Sequence, residues 1–352
     1  MVSMQDKYLG CLLGAAAGDA MGAPTENKSN RQIRSVFGKR VTDFKNPPAD
    51  SLARGRKKGQ VTDAFSIPYL LTEHLLAAKG QVSRRIAEEA LLDWGKSEWF
   101  EPFAGMTTRK VINRLNKEEK IELWSFSGQL GNTLFKSHYY ALSSNGAAVK
   151  AYPLALLNGT NIDAAVADTV EATMASHDDP LSISGACAVT AAICTALTAE
   201  PSIYDITQAA LDGAKRGAEL AREQPDIWIY PGPSVVSRLE MAIEIAVHYQ
   251  DEAAQYLADI IGCGPAIAET VPTAFGLLIA RNGNIIEALF DAVNIGDETT
   301  AVASLVGAIG GAFAGQKVFP AYYLPLLEEA NGFNLVGQAQ SILALQQKRL
   351  YT

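Results

Sequence analysis

The sequence is poor in charge. Of its 352 residues only 19% are Asp, Glu, Lys or Arg, while 48% are hydrophobic. Such a chain is too apolar and too weakly charged to stay disordered. Basic residues are the minority sign, 30 Lys and Arg against 38 Asp and Glu, for a formal net charge of -8. Nucleic-acid binders carry the opposite balance, so no nucleic-acid partner is expected. Cysteine is equally sparse: Cys11, Cys187, Cys194 and Cys263, with no C-x-x-C pair. On one helix Cys187 and Cys194 would stand two turns apart, ~10 Å, beyond the reach of a disulfide. Four reduced thiols fit a cytoplasmic location. The N-terminus lacks a basic region followed by an apolar core, so no signal peptide is read. The longest uncharged run, 180–199, is built mostly from Ala, Ser, Thr and Cys and is flanked by Asp178, Asp179 and Glu200. Without basic flanks or aromatic belts it reads as a buried helix and not a membrane span.

Strand-like alternation is also scarce, whereas helical periodicity is abundant. Ile67, Leu70, Leu71, His74, Leu75 and Ala78 follow the i, i+3, i+4 rule, as do Ile86, Ala90, Leu91 and Trp94, and then Val235, Leu239, Ala242, Ile243 and Ala246. Further helices are predicted near 161–175, 180–199, 203–222, 251–261, 284–293, 299–314 and 336–349. The expectation is an all-α fold, a single compact multi-helix domain over 1–352. The polar stretch 27–60, with its basic cluster at 54–58, reads as a solvated surface excursion. Trp94, Trp99 and Trp124 read as core or cleft-edge anchors, and Trp228, Ile229 and Tyr230 as a buried loop anchor. His74, His138 and His248 have no motif partners.

Two glycine patterns stand out. Gly10, Gly14, Gly18 and Gly22 recur every fourth residue, and Gly307, Gly310, Gly311 and Gly315 mark a helix apolar nearly all round. Each helical glycine costs ~1 kcal/mol against alanine, so close backbone packing is expected to offset it.

Polar residues gather where apolar helices begin: Thr62-Asp63 before the Ile67 helix, Asp297-Glu298-Thr299-Thr300 before the glycine-rich helix, and His177-Asp178-Asp179 before Pro180. Each serves as an ordinary N-cap when taken singly. Together, helix N-termini meeting in one cleft would offer carboxylates and hydroxyls to a hard cation such as Mg²⁺, and N–H groups to phosphate. Ser144-Asn145-Gly146 ahead of an Ala-rich stretch reads as a turn whose bare amides suit an anion.

These stretches resemble, in order over roughly 8–320, the motifs of the ADP-ribosylglycohydrolases. The opening from Gly10 to Glu26 is similar to the first motif, whose final Glu helps form the active site; Ser144 to Lys150 resembles the ligand loop, and the His177 stretch the His motif. The resemblance implies that family's all-α orthogonal bundle. It implies a hydrolase of a ribosyl glycosidic bond in a small-molecule or protein-linked ADP-ribose-like substrate. Glu26 and Asp63 would be catalytic, and Ser144, Asn145, Gly146, Lys150 and His177 would bind substrate. Thr62, Asp63, Asp297 and Thr300 would be metal ligands.

The departures fall on the chemistry. Where the family carries Thr-Asp-Asp, this chain has Thr62-Asp63-Ala64; where it carries Asp-X-Asp-Thr, this chain has Asp297-Glu298-Thr299-Thr300. Val149-Lys150 replaces Met-Arg, keeping a charge but losing a planar fork. Two lost carboxylates reduce the family's dinuclear magnesium site to one weakly held Mg²⁺ or none, unless Glu298 substitutes from its shifted position. The alternative is a family member that binds ADP-ribose-like ligands without turnover; a third reading is a nucleoside or phosphosugar enzyme with another leaving group. Nothing in the sequence specifies an oligomeric state.

Overall fold

A computed structural model describes residues 2–116, 143–225, 227–229 and 231–349; Trp124, His138 and Tyr230 lie outside them. No strand occurs among the described residues, whose only extended pairings are the isolated bridges Ser29–Gly296 and Ser144–Ala266. The longer helices follow in order: α1 (Met4–Gly22), α2 (Asn30–Phe37), α3 (Asp63–Ala77), α4 (Arg84–Trp94), α5 (Met106–Leu115), α6 (Tyr152–Asn158), α7 (Ile162–Thr173), α8 (Pro180–Ala196), α9 (Ile203–Arg222), α10 (Val235–Tyr249), α11 (Ile267–Ala280), α12 (Ile285–Asn294), α13 (Thr299–Ala314), α14 (Tyr323–Asn331) and α15 (Leu335–Arg349). Among the described residues no helix is long and apolar enough to cross a membrane.

The two glycine-rich helices, α1 and α13, form the centre and run antiparallel. A Cβ placed on Gly14 would lie 2.0 Å from the carbonyl oxygen of Gly307, and one on Gly18 2.0 Å from that of Ala303. Gly10 meets Gly311 in the same way, and Gly22 meets Thr299. The missing side chains thus let two backbones touch along their whole length. This register fixes the site, because it sets the end of α1, and so Glu26, against the first turn of α13.

Several elements carry weak sequence signals. α11 has no side-chain cap on Ala266 and contains Pro272, so neither its start nor its interior advertises a helix. α2 interrupts the 27–60 stretch, and its Ile33 is buried. The predicted helix at 251–261 is irregular, a 3₁₀ turn followed by one α turn and one π turn. The expectation for Trp228 and Ile229 is corrected: they are 37% and 73% exposed, so these two side chains are not buried anchors, and it is Ile227 beside them that packs against the cluster of Val166, Val170 and Cys187. Trp94 is buried, its Nε1 donating to Ser66 Oγ at 2.9 Å, and Trp99 stacks on Phe333 with centroids 5.9 Å apart. His74 pairs with Asp93 at 3.0 Å, and His248 is exposed beside Glu244.

Candidate active site

Two carboxylates on or just beyond α1 organise the site by capping other helices. Asp19, fully buried, accepts from Thr62 N at 2.9 Å, Thr62 Oγ1 at 2.6 Å and Phe65 N at 2.8 Å. It therefore fixes the start of α3 and the direction of Asp63. Burial raises its pKa to about 7 despite those three donors, because desolvation penalises the charged form. Glu26 does the same for α13, which has no side-chain cap of its own. Its Oε2 accepts from Thr300 N at 2.7 Å and Thr299 Oγ1 at 3.3 Å, and its Oε1 from Thr300 Oγ1 at 2.9 Å.

These anchors bring distant residues into one cavity of about 430 Å³. Glu26, Thr62, Asp63, Ser144, Asn145, Gly146 and Thr300, all expected site residues, line it. So does Glu298, whose Oε2 accepts from Asn145 Nδ2 at 3.3 Å. The rim comes from Leu52 and Ala53 of the long excursion and from Phe103 and Met106 around α5. The excursion is thus more than a solvated loop: Arg56 pairs with Glu98 at 3.2 Å and covers the Phe103 ring at 4.9 Å.

The remaining expected residues lie elsewhere. His177 and Lys150 are buried behind the wall, with His177 Nε2 2.8 Å from Ser144 Oγ. Asp297 is exposed and turns away. Gly296 and Asp297 both have left-handed backbones, with φ of 105° and 56°, a region that Asp tolerates better than most residues. Asp297 N donates to Lys28 O at 3.0 Å and its carbonyl accepts from Asn27 N at 2.8 Å. Its side chain lines a separate cleft of about 850 Å³ with Lys28, Arg31 and Arg34. The turn therefore sends the two neighbouring carboxylates to opposite sides, Asp297 to the cleft and Glu298 to the cavity.

Inside the cavity the acids perturb one another. Burial, then the charges of Asp19 and Glu298, push Asp63 up to about 8. Burial and Glu298 raise Glu26 well above the usual carboxylate range. Burial also raises Glu298, against the hydrogen bond from Asn145. Crowded carboxyls share protons because they cannot all ionise.

The oxygen chemistry suits a hard cation, but the arrangement does not make a metal cage. Among the described residues no group of three or more Asp, Glu, His or Cys is placed to hold a metal ion. Both Glu26 oxygens already accept hydrogen bonds, and Thr62 Oγ1 donates to Asp19.

Such a helical scaffold has counterparts among known proteins. The chain matches the ADP-ribosylglycohydrolase family over residues 1–351, and it belongs to that family. It is 24% identical over 353 residues to the uncharacterized protein YegU of Escherichia coli (strain K12), covering 98% of each chain. An uncharacterized protein of Archaeoglobus fulgidus is 25% identical over 314 residues, 88% of each chain. A solved structure, an ADP-ribosylglycohydrolase-related protein complex, shares the fold with a TM-score of 0.64 at 20% identity, covering 97% of this chain and 99% of its own.

Proposed function

We propose that the cavity hydrolyses the glycosidic bond of a ribosyl compound, of the ADP-ribose-like kind that the family name implies, using carboxyl groups alone as acid and base. The observation that carries this reading is the placing of Glu26, Asp63 and Glu298 around one cavity with proton affinities raised by burial and mutual repulsion. Glycoside hydrolysis needs one protonated carboxyl and one ionised one on either side of the bond. Asp63, protonated at neutral pH, gives its proton to the leaving group. Of Glu26 and Glu298, whose repulsion raises the proton affinity of Glu26, one carries the negative charge. That charge stabilises the oxocarbenium-like centre and draws a proton from the attacking water. Asn145, donating to Glu298, orients the charged member. No step is assigned to magnesium.

The test is release of ADP-ribose from modified arginine, modified serine and acetyl-ester substrates. The expected result is turnover that falls ~10²- to 10⁴-fold in Asp63→Asn and in Glu298→Gln. A second reading, binding without turnover, draws on the engagement of both Glu26 oxygens in capping α13 and on Ala64 and Thr299 standing where the family has acids. Calorimetric binding of ADP-ribose with no release from any of these substrates would establish that reading and overturn the first.

A further inference from the structure

A line of polar side chains runs inward from the cavity wall. Ser144 Oγ is 2.8 Å from His177 Nε2, His177 Nδ1 is 2.8 Å from Ser176 Oγ, and Ser176 Oγ accepts from Lys150 Nζ. Ser144 faces the cavity, while His177, Ser176 and Lys150 are buried. A serine beside an imidazole at this distance is also the geometry of an activated nucleophile. The direction of each hydrogen bond decides between the two roles.

The directions follow from the donor inventory. A lysine ammonium donates and never accepts. Ser176 Oγ therefore accepts from Lys150, and its single O–H needs an acceptor elsewhere. Among the described residues only His177 Nδ1 is in reach. A buried hydroxyl left without an acceptor is destabilising, so the O–H points to Nδ1. A neutral imidazole that accepts at Nδ1 carries its proton on Nε2. Burial, reinforced by Lys150, holds His177 well below the usual imidazole range, so the ring is neutral. Nε2 then donates to Ser144 Oγ, which leaves the Ser144 O–H free for the cavity.

We propose that Lys150 is a positioning residue: through Ser176 it holds His177 in the Nε2–H tautomer, so that Ser144 offers a hydrogen-bond donor, and not an activated nucleophile, to an acceptor oxygen of the ligand. Around Lys150 the facing side chains are apolar or hydroxyl-bearing, among them Ile67, Leu71, Leu154 and Thr173, and the charge of Lys150 acts in turn on the titratable ring of His177. Burial brings Lys150 down to about 7. The polarity belongs to the ammonium form present below that value, since a neutral amine carries a lone pair that could accept from Ser176. The tautomer stands apart from any activity; only the placing of the acceptor oxygen on a ribosyl compound rests on the function proposed above.

The experiment is ¹⁵N spectroscopy of the histidine-labelled full chain at mildly acidic pH, where Lys150 is charged and His177 is still neutral, with the His177 signals identified by their loss in His177→Gln. The expected wild-type spectrum is a single Nε2–H tautomer, lost to a mixture in both Lys150→Met and Ser176→Ala. Lys150→Met keeps the volume and removes a buried amine, so the fold is expected to hold; Ser176→Ala supplies the same readout should it not. An Nδ1–H tautomer in the wild type, or an unchanged spectrum in the variants that fold, overturns the proposal.

Discussion

The carboxylate of Glu26 accepts the backbone N–H of Thr300 at 2.7 Å, across 274 positions of sequence. A residue of the proposed chemistry is thus also the cap of the central helix. The two roles separate by substitution. Glu26→Ala should lose the cap, ~0.5–2 kcal/mol of stability. Glu26→Gln keeps an oxygen for Thr300 N and should lose less. Both should reduce turnover ~10²-fold or more, because neither side chain ionises. Denaturant unfolding beside the release assay checks this; equal stability losses would mean that Glu26 is not a cap.

Gly14→Ala should reverse the usual sign of a helical glycine replacement. In an open helix the change stabilises by ~1 kcal/mol. Here the new Cβ would stand 2.0 Å from Gly307 O, and the obstacle is backbone, which cannot rotate aside. Overpacking of this kind costs ~1–3 kcal/mol or more. Gly105, with nothing within 4 Å of its added Cβ, is the control: Gly105→Ala should leave the unfolding midpoint nearly unchanged.

The α1–α13 contact was legible because the missing side chains repeat at a helical spacing. Thr62 and Asp179 were legible as caps because an N-cap is a local event: Thr62 Oγ1 accepts from Ala64 N at 3.4 Å, and Asp179 from Ser182 N at 2.9 Å; Asp297, which reads as a cap in the same way, is not one, because Glu26 takes the Thr300 N–H from a distant part of the chain. Asp19 was not legible, since its partners lie 43 and 46 positions away. Nor could spacing decide whether Asp297 or Glu298 enters the cavity, because two left-handed residues at 296 and 297 reverse the chain there. α11 was missed because its start is uncapped and a proline sits inside it.

Stability should fall as pH rises through the neutral range. Asp19 and Asp63 are raised from an ordinary 3.8 to about 7 and about 8 in the folded chain. The folded state then holds protons that the unfolded state has released. Their contribution is fully present below the unfolded value near 3.8 and is lost as pH rises to about 7 and about 8. Asp63→Asn should flatten the upper part of that slope. Lys150 acts oppositely: its value drops from 10.5 to about 7, so the folded state releases a proton first and gains stability as pH rises across that interval. Lys150→Met should remove this gain. Urea unfolding from acid to alkaline pH in the wild type and both variants measures the two slopes, and a profile unaltered by Asp63→Asn contradicts the assignment.

Magnesium should stabilise the protein little. A divalent ion bound only by the folded state at a hundred times its dissociation constant adds about 2.7 kcal/mol. Such affinity needs several carboxylates free to coordinate. Here the Glu26 oxygens cap α13, Asp297 faces another cleft, and Ala64 and Thr299 carry no charge. Glu298 and Asp63 remain, with Asn145 already on one Glu298 oxygen. The unfolding free energy is therefore expected to change by less than about 1 kcal/mol between chelator and millimolar magnesium. A larger rise that disappears in both Asp63→Asn and Glu298→Gln would show that these two acids assemble a magnesium site despite the engaged neighbours, and the carboxyl-only chemistry proposed for the cavity would fall with it.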